Sequence, residues 1–171
     1  MKSMVLRCAL ILMMITVVSF AQEVGTPAPD FSGKTGDGKD VKLSDYQGKV
    51  VLLDFWASWC APCLKEMPFL VEFYEQNQDA EFMVIAINID DKAANMNKFL
   101  QKLKTGVPFP VIHDAQKVIP PLYNPEAMPT TVFIDKKGII RYRHTGFKDS
   151  YKEEFAQELA TLLAEAGDPE K

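Results

Sequence analysis

An α/β fold, in which a central mixed β-sheet is flanked by helices, is what the sequence predicts. Three observations point to it. Apolar runs of strand length alternate with stretches whose apolar residues recur at helical spacing. Two late apolar runs face each other across Lys136-Lys137-Gly138, which adds an antiparallel pair to the sheet. The chain has 171 residues, 47% hydrophobic and 25% charged, which suits one compact domain and leaves little room for two.

The elements follow in order. Residues 1–21 carry Lys2 and Arg7, an apolar run from Cys8 to Phe20, and small residues Ser19 and Ala21 before Gln22. The run is shorter than the ~20 residues of a comfortable membrane span. The layout is that of a secretory signal peptide, leaving residues 22–171 as the folded domain. An uncleaved membrane anchor is the other reading of the same run. Residues 22–49 predict an N-terminal extension with a short hairpin turning at Gly36-Asp37-Gly38-Lys39. Val41 and Leu43 supply its apolar alternation, and Ser44 to Lys49 reads as a loop or short turn.

Val50 to Trp56 is apolar except for Asp54, the pattern of a strand buried on both faces. Pro62 to Gln78 predicts an amphipathic helix through Leu64, Met67, Leu70, Val71 and Tyr74, with a kink at Pro68. Glu81 to Ile89 is a second buried strand. Asp91 to Lys104 predicts a helix capped by Asp90 or Asp91, and Phe109 to Ile112 a short strand. Thr130 to Asp135 and Ile139 to Arg143 are the hairpin strands. Ser150 to Ala166 closes the chain as a helix with Phe155, Leu159, Leu162 and Leu163 on one face.

Composition also excludes. A net charge of −4 argues against a nucleic-acid partner, because phosphate binding wants a basic face. Removing residues 1–21 would take away Cys8 and leave only Cys60 and Cys63. A disulfide across two intervening residues closes a tiny loop and stabilises little, so this pair points to redox chemistry.

That chemistry suits its location. Trp59-Cys60-Ala61-Pro62-Cys63 follows a buried strand and opens a helix. Unpaired N–H groups and the positive end of the helix dipole favour a thiolate at Cys60. Cys60 should attack a partner disulfide, and Cys63 should resolve the mixed disulfide. Metal binding is the competing use: two thiolates are half a closed zinc site, and His113 and His144 lack ligand-like spacing. Each histidine is expected to be a loop or sheet residue with a satisfied hydrogen bond.

The segment Val51-Leu52-Leu53-Asp54-Phe55-Trp56-Ala57-Ser58-Trp59-Cys60-Ala61-Pro62-Cys63 resembles the active-site segment of thioredoxin-fold proteins. Gly25-Thr26-Pro27-Ala28-Pro29-Asp30-Phe31, the Gly48-Lys49-Val50-Val51 approach and Met128-Pro129-Thr130-Thr131 narrow the resemblance to exported TlpA/ResA-like thiol–disulfide oxidoreductases. The similarity covers Gly25 to Leu163. It implies a thioredoxin-like fold with an N-terminal hairpin extension and a central insertion.

The resemblance also assigns roles. Pro129 would be a cis-proline facing the disulfide, and Met128 would offer its backbone to a bound substrate strand. Trp59, Ala61 and Pro62 would border the substrate. Trp59 would either shield the disulfide or simply pack. Gly146 matches a glycine near the active-site surface. Asp54 would lie behind Cys63 and move its proton, its pKa raised by burial. Ala86 stands where thioredoxin has a lysine partner for that aspartate. Glu66 is expected on the solvated surface. Three prolines in Ile119 to Pro125 forbid a regular helix where relatives place one, leaving the substrate groove unlike theirs.

By resemblance, the protein would need no cofactor beyond the Cys60–Cys63 disulfide. It would act as a monomer on exported proteins with cysteine pairs, as in cytochrome c assembly, and be recharged by a membrane electron donor. Two alternatives remain at this point. Peroxiredoxins share the Gly25-to-Phe31 opening, although they place a lone peroxidatic cysteine behind a threonine. A non-enzymatic metallochaperone would also use the two sulfurs.

Overall fold

A strand apolar on both faces needs cover on both. Val50–Trp56 obtains it in the computed structural model, which describes residues 24–78, 80–103 and 106–165. The predicted signal segment lies outside the described residues. In chain order the elements are β1 (Ser32–Lys34), β2 (Asp40–Lys42), a 3-10 turn (Leu43–Tyr46), β3 (Val50–Trp56), α1 (Cys63–Asn77), β4 (Phe82–Asn88), α2 (Ala93–Leu100), β5 (Val111–His113), α3 (Pro120–Tyr123), β6 (Thr130–Ile134), β7 (Ile140–Thr145) and α4 (Tyr151–Ala164). The main sheet runs β5-β4-β3-β6-β7, and β1 pairs with β2 in a separate hairpin. β3 is parallel to β4 and antiparallel to β6, so the sheet is mixed. This is the predicted α/β architecture.

The two faces carry two cores. On one, Val50, Leu52 and Trp56 pack with α1, α2 and α4 through Met67, Leu70, Met96, Phe99, Phe155 and Leu159. On the other, Val51, Leu53 and Phe55 pack with Phe31, Val41, Ile119 and Tyr123 from the N-terminal hairpin and α3. Each fully buried aromatic or aliphatic side chain contributes ~1.5–3 kcal/mol. The hairpin sits close against β5: a Cβ added at Gly33 would meet Ile112 Cγ2 at 2.5 Å, so only glycine fits there.

Four details depart from expectation. The strand predicted at Phe109 to Ile112 forms two residues later, because Pro110 has no N–H to give a ladder; its carbonyl instead accepts from Ala86 N–H at 3.0 Å. The second helix is shorter than predicted and starts at Ala93 after Lys92, with no side-chain cap. Asp91 pairs with Lys117 at 2.8 Å and Asp90 is used elsewhere, so neither aspartate caps it. The proline-rich segment does make a helical turn, α3. Pro120 and Pro121 fall in its first turn, where their missing N–H groups are not needed. The Asp114 carboxylate accepts from Val118 N–H and Ile119 N–H just before it, at 3.1 and 2.8 Å. Leu64, expected in the core, is 49% exposed, since the buried stripe of α1 is Cys63, Glu66, Met67 and Leu70.

Candidate active site

β3 ends at Trp56, and the chain turns at once. Cys60 N–H donates to Ala57 O at 3.1 Å, and α1 starts three residues later with Pro62 at its N-cap. This places both sulfurs at the helix N-terminus, above the carboxyl end of the central strand. Cys60 and Cys63 form a disulfide, their Cα atoms 5.3 Å apart. Cys63 N–H donates to Cys60 Sγ at 3.2 Å, so the helix terminus does point a donor at the nucleophilic sulfur. Cys60 is 4% exposed and Cys63 1%, which makes Cys60 the sulfur a partner reaches first.

Met128–Pro129 is a cis peptide, as the resemblance implied. It leads straight into β6, whose Thr130 pairs with Phe55 of β3, so it stands at the same end of the sheet as the disulfide. Met128 packs against the core cluster that contains both cysteines. Gly146, at φ +72°, donates its N–H to Pro129 O at 2.8 Å and ties down the loop from the other side. Ala61 and Pro62 are exposed on the rim. Trp59 is 68% exposed, so it is not core packing; its indole forms surface beside Cys60.

The face of β3 that α1 covers carries one buried acid, Asp54, and α1 brings a second, Glu66, to it. Asp54 shares the face of β3 with Leu52 and Trp56, the face that α1 covers. It is 1% exposed, and neither of its oxygens has a hydrogen-bond partner among the described residues. Its lateral neighbours are Ala86 on β4 and Thr131 on β6, so no lysine answers it where thioredoxin has one. Glu66, expected in solvent, is also 1% exposed. Its Oε1 accepts from Thr131 Oγ1 at 2.9 Å, while Oε2 has no partner among the described residues. The two carboxyls therefore flank the same threonine, Asp54 as its cross-strand neighbour and Glu66 as its hydrogen-bond partner.

Electrostatics follow from that geometry. Burial pushes Asp54 well above the usual carboxylate range, and repulsion from Glu66 adds to it. Burial also pushes Glu66 up to about 8, against the Thr131 hydrogen bond, which favours the ionised form. A buried acid titrating near 8 is matched to a cysteine thiol, whose ordinary pKa is about 8.5.

Glu66 was legible in principle. It stands three residues after Cys63, and positions 63, 66, 67 and 70 are one helical stripe. Its charge suggested solvent, and its register did not. The histidines meet expectation: His113 Nε2 lies 2.7 Å from Asp90 O, and His144 Nε2 lies 2.9 Å from Glu158 Oε2.

Comparison with known proteins agrees with this site. Residues 24–143 match the AhpC/TSA family. The chain is 32% identical to the thiol-disulfide oxidoreductase ResA of Geobacillus thermodenitrificans, covering 94% of this chain and 97% of that one. It is 38% identical to the thioredoxin-like protein YneN of Bacillus subtilis, covering 79% and 78%. Among solved structures, a Chlorobium tepidum protein described as thiol:disulfide interchange protein DsbE superposes with a TM-score of 0.78 at 37% identity, covering 83% of this chain and 99% of that one. The exposed lipoprotein thioredoxin of Streptococcus pneumoniae gives 0.69 at 32% identity, covering 78% and 100%. With a reactive cysteine pair at a helix N-terminus and a cis-proline at the same end of the sheet, the chain belongs to the AhpC/TSA family and is a thioredoxin-fold thiol–disulfide oxidoreductase.

Proposed function

We propose that the protein is an exported dithiol reductant. It gives two electrons from Cys60 and Cys63 to cysteine pairs in other exported proteins, apo-cytochrome c among them. A membrane dithiol donor recharges it. It works as a monomer on protein partners, not on nucleic acid. The sulfurs carry the electron pair themselves, so no bound cofactor is needed.

The observation that carries this reading is the buried carboxyl pair, Asp54 and Glu66, with Glu66 one helical turn after Cys63. The only charge this pair can acquire is negative. It therefore opposes a thiolate above it, favours the disulfide, and makes the dithiol a donor of electrons.

The steps follow. The Cys60 thiolate attacks one sulfur of the partner disulfide, and the partner's other sulfur leaves and takes a proton from solvent. Cys63 then gives its proton to an ionised carboxyl of the pair and attacks Cys60 Sγ. The mixed disulfide breaks, the Cys60–Cys63 bond closes, and the second partner sulfur leaves. The partner has gained two electrons and the enzyme has lost two. Met128 offers backbone to the partner strand beside Pro129, while Ala61 and Pro62 form the rim it crosses.

The midpoint potential of residues 22–171, equilibrated against dithiothreitol and glutathione buffers, tests the direction. A value near the thioredoxin figure of about −270 mV is expected; a value near the −120 mV of a strong oxidant would overturn it. Export is tested by the N-terminal sequence of protein recovered outside the cytoplasm, which should begin at Gln22.

One finding favours a second reading, peroxide reduction: the match to the AhpC/TSA family. Ala57 and Ser58 stand before Cys60 where the peroxidase turn would place a threonine, and a resolving cysteine lies one helical turn away. Peroxide consumed at an appreciable rate with no protein disulfide present would favour this second reading.

A further inference from the structure

Asp90 lies just past the end of β4 and is 1% exposed. It was expected to cap a helix and does not. Its carboxylate turns back toward β3. Oδ1 and Oδ2 accept from Ser58 N–H at 3.2 and 3.1 Å, and Oδ1 accepts from Ser58 Oγ at 3.0 Å. Oδ2 also accepts from Asn88 Nδ2 at 3.0 Å, and Asn88 Oδ1 accepts from Asp90 N–H at 3.1 Å. The backbone is held as well: Ile89 N–H donates to Trp56 O at 3.1 Å, and Asp90 O lies 2.7 Å from the His113 ring.

The residue so gripped matters. Ser58 sits inside the turn that Cys60 N–H closes onto Ala57 O, two residues before the nucleophile. The turn has no other side-chain anchor of this kind among the described residues. A fixed negative charge is thereby planted at the base of the cysteine loop, on its β4 side. Beside it, Asp91 pairs with Lys117, and the His113 ring meets the Asp90 carbonyl.

We infer that Asp90 is a positioning residue that clamps the Ala57–Cys60 turn and whose buried charge holds down ionisation of Cys60, keeping the dithiol strongly reducing. The clamp restricts the loop to the conformation in which Cys63 N–H meets Cys60 Sγ. The charge works against that same N–H and the helix terminus. It raises the cost of a thiolate, so the disulfide is favoured over the reduced form. The inference rests on the reductant reading and deepens it.

The test is a pair of variants whose expected effects have opposite signs. Asp90→Asn keeps an acceptor for Ser58 and removes the charge. Iodoacetamide should then alkylate Cys60 several-fold faster at neutral pH. The dithiol–disulfide equilibrium with glutathione should shift about tenfold toward dithiol, ~30 mV less negative for a two-electron couple. Ser58→Ala keeps the charge and removes one of the donors that disperse it. Alkylation should slow by about twofold, and the equilibrium should move the other way.

A merely structural role would shift both variants in the same direction. That outcome, or no shift in folded Asp90→Asn, would overturn the inference. If Asp90→Asn does not fold, Ser58→Ala alone decides: faster alkylation or an unchanged rate would overturn the charge account. Wild-type disulfide exchange in the same buffers keeps the two readings apart. If the wild type exchanges disulfides at low potential and the variants do not move, only the role of Asp90 fails.

Discussion

Two aspartates in this protein are equally buried and chemically opposite. Asp54, in the middle of β3, and Asp90, just beyond β4, are each 1% exposed. Asp90 accepts from Ser58 N–H, Ser58 Oγ and Asn88 Nδ2, and its charge is dispersed over those bonds. Asp54 receives none among the described residues, and its nearest charged neighbour is another acid, Glu66. Burial alone therefore says little about what a carboxyl does. Surrounded by donors, it is a fixed anchor. Left without them beside another acid, it is pushed toward the proton-carrying range.

The sharpest way to break this comparison is kinetic. Asp54→Asn should slow resolution of a trapped mixed disulfide by about a hundredfold, the scale of a lost general base. It should also flatten the rise of that rate with pH above the ordinary carboxylate range. Stopped-flow release of a fluorescent partner thiol checks both. Asp90→Asn should leave the shape of that pH profile intact. If the two variants behave alike, the division of labour is wrong.

Stability separates them next. Asp90→Ala removes the acceptor for three donors, and buried groups left unsatisfied cost ~1–3 kcal/mol each. A loss of about 3 kcal/mol is expected in urea unfolding at pH 7. Asp54→Asn at the same pH should not destabilise the protein, because no hydrogen bond is lost and the unfolded chain no longer gains by releasing a proton that burial holds on Asp54. A large loss at Asp54 would mean that it is anchored after all.

The pH dependence of stability sharpens the role of Glu66. Its folded pKa of about 8 lies above its ordinary value of 4.5, so the folded protein holds a proton that the unfolded chain has released. The corresponding stability is fully present below pH 4.5 and is lost as pH rises through about 8, at most ~1.4 kcal/mol per pH unit. The oxidised protein should thus weaken by several kcal/mol between pH 5 and pH 8. Asp54, pushed up by the same burial, gives a slope of its own, so Glu66→Gln should reduce the slope and not abolish it. Urea midpoints at pH 5, 6.5 and 8 decide it, and an unchanged slope in the variant would sink the assignment.

Much of this was legible in the sequence, for reasons that differ residue by residue. Asp54 announced itself, because an acid inside a seven-residue apolar strand must be either costly or useful. Cys60 and Cys63 did so by position, between a buried strand and a helix. Residue type alone puts Glu66 in solvent, and helical register puts it inside. The helical stripe of Cys63, Met67 and Leu70 already contained its position. For Asp90 the local pattern itself misleads. An aspartate before a helical stretch is an ordinary cap, and only the three-dimensional return of β4 alongside β3 brings it to Ser58. The prolines of α3 argue against a helix by their number and for one by their place, since in a first turn they fit.

The smallest expected effect lies at the surface of the same site. Trp59 is 68% exposed and follows the residue that Asp90 grips. Its indole contributes little to the fold, so Trp59→Ala should change stability by less than about 0.5 kcal/mol. An exposed aromatic beside a nucleophile can still be covered by a bound partner, and aromatic contacts of that kind often cost ~1–2 kcal/mol when truncated. Reduction of a protein disulfide should therefore slow by threefold to tenfold in Trp59→Ala, while exchange with glutathione disulfide, too small to cover the indole, should hardly change. Equal slowing with both substrates would assign Trp59 to the sulfurs, as a shield or a tuner of Cys60. Slowing with the protein alone assigns it to the partner.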